Sequence, residues 1–534
     1  MYDLIIRGGR VCDGTGSPWR YADIAVKDNK ISVLLPQNGA EAFRTIDATG
    51  YVVSPGFVDL HCHSDMLLAP GPADAFKGKL LSGVTTEVVG HCGTSLFPIT
   101  PAHAEEYISY IKRFSGPDSV MPRQWLPNES KNDEWYKPFN QLERISEAEY
   151  LENQVSLVGH GTIRVAAMGM EPREATEEEI RKMEELLAQS LDAGGAGFST
   201  GLIFPPCIFA NREELRRLFK VSADRGKQVH VHMRSESDNL LAALEEVIHL
   251  AEETGARVEI SHLRSIGKNN WGKARLALRK IEEARKNGLE IACDMYPYSA
   301  GNFSLKGLLP PWLHSTVYDD LFNSLANEKI CGRIKNELQF GIDGWENLYG
   351  LAGPENVVVS VCNNAAFIGR NIMSIASELG SDPYEAVIQL LRTNPEIWVT
   401  LFLFGEEDVE CVICNDISVI CTDSLNSSHP RVAGTFPKIL RKFVREKQVL
   451  PLERAIQKMT ATAATRIGVQ DRGFLLNGMK ADIVVFDPEK VCDQASFQNP
   501  TDPPSGIEYV IVNGEVAVMN GTWTGKACGK VLRV

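Results

Sequence analysis

Eight short apolar runs alternate with helical patterns through the middle of this 534-residue chain. The runs have the length of buried strands, and residues 239–254 between two of them are apolar at helical spacing and end on Gly255. Eight strands alternating with helices predict an α/β protein built on a (β/α)8 TIM barrel. The predicted strands are GFVDLHCH (56–63), TTEVVGHC (85–92), QVSLVGHG (154–161), GAGFST (195–200), QVHVHM (228–233), RVEISHL (257–263), EIACDMYP (290–297) and ISVICTD (417–423).

The two ends of the chain are rich in short predicted strands and turns, unlike the middle. Short strands separated by Gly, Asp and Asn turns fill residues 1–56 and return in 469–534. These segments predict a small β-sandwich domain built from both termini, which encloses a barrel domain at 57–468. A plain strand-helix unit needs about 30 residues, whereas Tyr296 and Asp423 lie 127 positions apart. We therefore expect an inserted lid subdomain at about 300–400, over the barrel mouth.

Almost every predicted strand ends on a polar or reactive side chain. In a (β/α)8 barrel the carboxyl ends of the strands form the active-site face, so residues distant in sequence meet there. Imidazoles, a thiol and a carboxylate together suit one or two zinc ions. Taken singly, Cys92 could be packing and Asp423 a helix cap, but their shared placement favours metal binding. The predicted ligands are His61, His63, Cys92, His232, His262 and Asp423.

Two His-X-His pairs occur, and each places both rings on one face of its strand. His61 and His63 end the first strand, with Cys62 on the other face. In the second pair only the residue nearer the strand end should reach the mouth. We expect His232 to be a ligand and His230 to be buried behind it.

The composition excludes several kinds of partner. A net charge of −14 argues against nucleic acid and anionic membranes. The chain has no run of eighteen apolar residues, and its start lacks the features of a signal peptide. We therefore expect a cytoplasmic protein, whose 12 scattered cysteines are mostly small buried hydrophobes.

Several longer motifs carry a family resemblance over nearly the whole chain. They are GFVDLHCHSD, GVTTEVVGHCG, FSTGLIFPP, VHMRSE, EISHLRSIG, DMYPY, HPRVAGTFP and KMTATAATRIGVQDRGFLLNGMKADIVVFDP. Together they resemble the amidohydrolase superfamily and, within it, the D-aminoacylases, or N-acyl-D-amino-acid deacylases. The strand-two cysteine and HPRVAGTFP are the narrower signals. Other branches of the superfamily carry a carboxylated lysine on the fourth strand, and FSTGLIFPP has none, which disfavours a hydantoinase or dihydropyrimidinase.

The resemblance implies a zinc-dependent enzyme that hydrolyses N-acyl-D-amino acids to a carboxylate and a free D-amino acid. Zinc would lower the pKa of a bound water towards 7, and Asp423 would accept its proton and pass it to the departing amine. The family's tight zinc ligands map to Cys92, His232 and His262. The residues that form or border a second, weaker metal position are His61, His63 and Asp423.

The residues expected to recognise the substrate match the family pattern at some positions and depart from it at others. The resemblance implies that Arg431 binds the α-carboxylate with help from Tyr296, and Arg264 stands where the family usually has a lysine. Three further departures from the family pattern are Phe204 in place of Tyr, His91 in place of Asn, and Ser424 in place of Gly. They leave a related amidohydrolase open as the alternative, acting on a cyclic ureide or a dipeptide.

The substrate's details stay open at this point. The stretch 301–313 is apolar enough to line a side-chain pocket, which favours neutral or hydrophobic substrates over acidic ones. The acyl group, the preference for D or L, the number of metals and the oligomeric state are not determined by the sequence. The expected partner is a small-molecule N-acyl amino acid.

Overall fold

The computed structural model describes residues 1–36, 39–67, 77–114, 134–314, 320–425 and 428–534. Strands and helices are numbered in chain order. Eight parallel barrel strands, called staves below, form the centre of the molecule, and one of them is interrupted at residue 157. The strands of the staves are β6 (Phe57–Asp59), β7 (Val84–Val89), β8 (Asn153–Ser156) with β9 (Val158–Gly159), β10 (Gly197–Gly201), β11 (Gln228–His232), β12 (Arg257–Ile260), β13 (Ile291–Met295) and β17 (Ser418–Ile420).

Parallel pairing joins neighbouring staves around the barrel. It runs from β6 to β8 and from β9 through β13 to β17. The first and last staves meet where the amide of Asp423 donates to the carbonyl of His61 and that of His63 donates to Ser424, each at 2.8 Å. These bonds close the ring, and the predicted (β/α)8 barrel is confirmed.

The helices begin and end at the signals that the sequence carries. At the start of α5, Thr176 accepts from the amide of Glu179, whose carboxylate accepts from Thr176 in return. At the end of α7, Gly255 has a left-handed φ of 72°, which glycine adopts at little cost. The helices of the barrel are α1 (Gly78–Leu81), α2 (Ala104–Phe114), α3 (Pro138–Ile145), α4 (His160–Met168), α5 (Glu177–Asp192), α6 (Arg212–Ala223), α7 (Leu240–Thr254), α8 (Lys273–Lys286), α14 (Glu406–Cys414), α15 (Arg431–Lys438), α16 (Leu452–Met459) and α17 (Ala461–Ile467).

The long segment between β13 and β17 has a structure of its own. It contains a three-stranded antiparallel sheet in the order β14–β16–β15, with helices packed on it. Its elements are β14 (Ala300–Ser304), α9 (Asp320–Ala326), α10 (Glu328–Phe340), α11 (Leu348–Ala352), β15 (Val357–Val361), α12 (Ile372–Leu379), α13 (Pro383–Thr393) and β16 (Trp398–Phe402). This is the insertion predicted at about 300–400, and below it is called the insertion.

Both ends of the chain contribute to a nine-stranded sheet beside the barrel. β1 pairs with β2 on one side and with β4 and then β5 on the other, so the sheet divides into two halves. Leu4 and Ile24 of one half share an apolar core with Ile483 and Ile511 of the other. The strands are β1 (Tyr2–Val11), β2 (Arg20–Lys27), β3 (Lys30–Leu34), β4 (Ala42–Asp47), β5 (Val52–Pro55), β18 (Ile483–Phe486), β19 (Ile507–Val512), β20 (Glu515–Met519) and β21 (Thr522–Trp523). The domain boundaries at residues 56 and 469 stay a prediction.

Polar contacts join this sheet to the barrel. Asn153 on β8 donates to Asp482 at 3.2 Å, and Asn513 donates to Asn153 at 2.7 Å. The last strand, β22 (Val531–Leu532), adds to the barrel by pairing with β8. Within the described residues, no helix combines the length and the apolar character that crossing a membrane requires.

Candidate active site

Cys92 lies at the centre of a buried group of histidines at the carboxyl ends of the staves. Its Sγ is 3.5 Å from Nε2 of His61, 3.6 Å from Nδ1 of His232 and 3.8 Å from Nε2 of His262. All four side chains are at least nine-tenths buried. The four donors come from separate staves, so only the closed barrel brings them together.

A second set of predicted ligands adjoins the first. Oδ1 of Asp423 lies 3.5 Å from Nε2 of His61 and 3.4 Å from Nε2 of His63. Because the same nitrogen of His61 faces both Cys92 and Asp423, this ring lies between the two sets. The structure thus brings all six predicted ligands to one place, although their assignment as ligands stays a prediction.

The backbone takes an unusual conformation at three of these residues. Cys92, His262 and Asp423 have φ values of 51°, 35° and 46°. Residues other than glycine rarely adopt this left-handed region, and such residues cluster at functional sites. Each lies two or three residues beyond the end of its strand, so the chain turns sharply where the ligand is placed.

Buried carboxylates fix the far side of two of the rings. Nδ1 of His61 lies 3.2 Å from Asp294, and Nδ1 of His262 lies 2.9 Å from Glu236. Because a carboxylate can hold the Nδ1 proton, Nε2, the atom that faces Cys92 in both rings, is the nitrogen that can give its lone pair to a metal. Neither carboxylate was predicted from the sequence. The available signals were a charged residue inside an apolar strand, Asp294 in DMYPY, and one shortly after such a strand, Glu236 in VHMRSE.

Electrostatics favour an anionic thiolate and an anionic Asp423. Burial raises the pKa of Cys92, but the charge of His61 and hydrogen bonds from His232 and His262 hold it well below its usual value. Burial likewise raises the pKa of Asp423, while Arg431 and the histidines bring it well below the usual range. Both groups therefore present lone pairs at neutral pH.

Two arginines and a tyrosine form the charged edge of the site. Nη1 of Arg431 donates to Oδ2 of Asp423 at 2.7 Å, and its guanidinium stacks 4.9 Å from the ring centre of Tyr296. Arg264 donates to Glu236 at 2.8 Å and to the Tyr296 hydroxyl at 2.5 Å. Nε of Arg431 is buried and has no hydrogen-bond partner among the described residues. The three predicted substrate-binding side chains thus meet, and their roles stay predictions.

These groups open into one cleft, of about 160 Å³, between the barrel and the insertion. On the barrel side it reaches Cys92, His232, Asp423 and Arg431. The opposite wall is mostly apolar. Its residues include Leu308, Leu309, Leu313, Trp345, Leu348 and Trp398.

The departures from the family pattern differ in how close they come to the cleft. Phe204 lines it, with its ring edge-on to His232 at 5.0 Å. His91 instead stacks on His61 at 3.9 Å, and His230 packs edge-on against His91 at 4.9 Å. Burial lowers the pKa of His230 to about 3, so this ring is neutral.

Most staves end a few residues before the predicted strands do, and at the third stave a helix follows at once. The third stave ends at Gly159, and His160 begins α4. Its ring contacts Thr200 at 2.9 Å and Glu214 at 2.7 Å, so it takes no part in the donor set around Cys92.

Comparison with known proteins agrees with this geometry. Residues 359–518 match a model described as the amidohydrolase family. The chain is 31% identical to a D-aminoacylase of Alcaligenes xylosoxydans xylosoxydans, covering 99% of this chain and 97% of that protein. It is 32% identical to an N-acyl-D-glutamate deacylase of the same organism, covering 99% and 96%. The fold also matches the crystal structure of an N-acyl-D-glutamate deacylase from Bordetella bronchiseptica, with a TM-score of 0.82, 29% identity and full coverage of both chains. That crystal structure is a complex with zinc and a phosphonate inhibitor that mimics the tetrahedral intermediate of the reaction. The chain therefore belongs to the D-aminoacylase family of the amidohydrolase superfamily.

Proposed function

We propose that this protein is a zinc-dependent amidohydrolase that releases D-amino acids from their N-acyl derivatives. The observation that carries the proposal is the ring of three imidazole nitrogens within 3.8 Å of the Cys92 sulfur, beside the Asp423–Arg431 pair. Full-length relatives named D-aminoacylase and N-acyl-D-glutamate deacylase support the substrate class.

The donor set fits zinc in both chemistry and spacing. Zinc–sulfur and zinc–nitrogen bonds of about 2.3 and 2.0 Å place neighbouring ligands of a tetrahedral ion about 3.5 Å apart. The measured distances from Cys92 to the three nitrogens are 3.5–3.8 Å. We assign a tight site to Cys92, His232 and His262, and a weaker second position to His61, His63 and Asp423. When bound, zinc would polarise the scissile carbonyl and make a water molecule more acidic.

Asp423 is the group that we propose to move the proton. It is held anionic by Arg431 on Oδ2, while Oδ1 faces the histidines. An anionic carboxylate in this position can accept a proton from the attacking water and return it to the leaving nitrogen. Without that return the nitrogen would have to depart as an amide anion.

We further propose that Arg431 binds the substrate α-carboxylate. Its Nη1 is used by Asp423, but its buried Nε has no partner among the described residues, and the residue lines the cleft. A guanidinium can therefore hold the α-carboxylate while it keeps Asp423 in place. The ring of Tyr296 packs against the Arg431 guanidinium, and Arg264 donates to the Tyr296 hydroxyl.

The apolar wall of the insertion supports neutral or hydrophobic amino-acid side chains. A screen of zinc-loaded protein against N-acetyl and N-formyl derivatives of both enantiomers tests the proposal, with amine release as the measurement. We expect faster hydrolysis of the D series, with D-leucine or D-methionine derivatives ahead of D-glutamate. Hydantoin or β-aspartyl dipeptides hydrolysed faster than every acyl amino acid would favour the alternative amidohydrolase.

A further inference from the structure

A carboxylate of the insertion is bound by the turn that follows the fifth stave. Oε1 of Glu346 accepts from the Ser235 hydroxyl at 2.7 Å and from the amides of Glu236 and Ser237 at 2.9 and 2.8 Å. Oε2 also lies 3.2 Å from the amide of Glu236. Converging backbone amides form a strong site for an anionic oxygen. Glu346 therefore fastens the insertion to the barrel at this turn.

The residue at the centre of that turn also supports the metal centre. The side chain of Glu236 accepts from Nδ1 of His262 at 2.9 Å and from Nε of Arg264 at 2.8 Å, and it lies 3.7 Å from Nε2 of His232. Glu236 is fully buried, so its orientation depends on the backbone that carries it. That backbone is the one that Glu346 holds.

The same part of the insertion forms a wall of the cleft. Trp345 and Leu348 line the cleft on either side of Glu346 in sequence. A contact that seats this wall would also fix the rings of the metal centre, because one short turn takes part in both. The turn at Glu236 therefore contacts both the metal centre and a wall segment of the cleft that lies more than 100 residues later in the sequence.

We propose that Glu346 is a positioning residue, which through the backbone of residues 235–237 holds Glu236, and with it His262 and Arg264, in the geometry for zinc and substrate. This inference rests on the proposed function and concerns the residues that organise its site. It predicts that the insertion contributes to zinc affinity although it supplies none of the proposed ligands.

The test compares Glu346→Ala with Glu346→Gln and with Asp343→Ala, an exposed acidic residue of the same segment. For each variant, zinc affinity is measured by competition with a chromophoric chelator, and KM and kcat are measured at saturating zinc. Loss of outer partners of a ligand weakens metal affinity or activity about 10–100-fold. We expect about tenfold weaker zinc binding and a raised KM for Glu346→Ala, with kcat changed less than KM.

The glutamine variant keeps the oxygen that accepts three of the four contacts, so we expect it to restore affinity and KM to within about threefold of the wild type. If Glu346 only stabilised the fold, Glu346→Ala would lower the melting temperature and leave zinc affinity and KM unchanged. That result, or a glutamine variant as impaired as the alanine variant, would overturn the proposal. If Glu346→Ala does not fold, Glu346→Asp provides the same comparison, because its shorter side chain cannot reach all three donors.

The zinc measurement is independent of the substrate. A wild-type protein that binds zinc but releases no amine from any N-acyl amino acid would contradict the proposed function alone. Unchanged zinc affinity in Glu346→Ala, with deacylation intact, would contradict this inference alone.

Discussion

Two buried clusters of ionisable groups lie next to the first stave, and only one of them has the character of a metal site. The mouth cluster is the set of six predicted ligands around Cys92 and Asp423. The lysine cluster consists of Asp59, Cys62, Lys79 and Glu87. Each contains three metal-type side chains with donor atoms within 4.8 Å of one another.

The two clusters differ in where their positive charge comes from. In the lysine cluster, Nζ of Lys79 lies 2.7 Å from Glu87 and 3.1 Å from Asp59, so an ammonium already fills the space between the carboxylates. In the mouth cluster the donor atoms face one another, and Arg431 contacts Asp423 only from the edge. Closely spaced donors therefore indicate a metal only where the protein does not provide its own cation.

The largest contrast is expected from the two cysteines. Cys92→Ala should lose zinc and all measurable hydrolysis, because it removes the thiolate around which the three imidazoles converge. Cys62→Ala, in the lysine cluster, should keep both. A chelator should abolish wild-type activity and added zinc should restore it. Zinc content by mass spectrometry and amine release provide the check, and equal behaviour of the two variants would contradict the comparison.

Asp423→Asn is expected to separate chemistry from metal binding. The amide cannot accept a proton from water, and loss of a general base typically costs about 10²–10⁴-fold in rate. We expect a fall in kcat of this size while zinc remains on Cys92, His232 and His262. Full activity in the asparagine variant would exclude Asp423 as the proton carrier.

Much of the mouth cluster could be predicted from the sequence because strand periodicity and barrel topology fix it. Alternating strands and helices place the stave ends together, and His61, Cys92 and Asp423 are at such ends. Glu236 and Glu346 could not be predicted in the same way. The partners of Glu236 follow the neighbouring stave and those of Glu346 lie in another subdomain, and no local pattern specifies which buried donor a carboxylate will meet.

The contacts of the lysine cluster could not be predicted from the sequence either. Lys79 lies on the short helix α1 and is 4% exposed, and its burial was not predicted from the sequence. A lysine in a short amphipathic segment is usually solvated, and only the fold turns this one towards Glu87 and Asp59. Burial alone would lower its pKa, but Cys62, Glu87 and Asp59 hold the pKa well above the usual value.

Lys79→Met should therefore affect stability and leave zinc at the mouth unchanged. It leaves two buried carboxylates without their cation, and breaking a buried ion pair from one side costs about 3–5 kcal/mol. Urea unfolding of the zinc-loaded protein measures the loss. An additional zinc bound by the methionine variant would show that the ammonium occupies a position that a metal can fill, whereas unchanged stability would contradict its role as the internal cation.

The smallest effect is expected at the two arginines at the edge of the mouth cluster. Lysine cannot reproduce the bidentate geometry of a guanidinium, so Arg431→Lys should raise KM about 10–100-fold, equivalent to about 1.4–2.8 kcal/mol. Arg264→Lys keeps the positive charge and places the family's usual residue there, so its effect on KM should be smaller than that of Arg431→Lys.

Because Arg431 also contacts Asp423, a simple amide without an α-carboxylate distinguishes its two roles. With that substrate the KM difference between wild type and Arg431→Lys should disappear, while any change in kcat that acts through Asp423 should remain. A KM difference that persists without the carboxylate would mean that Arg431 shapes the site by holding Asp423 rather than by binding substrate.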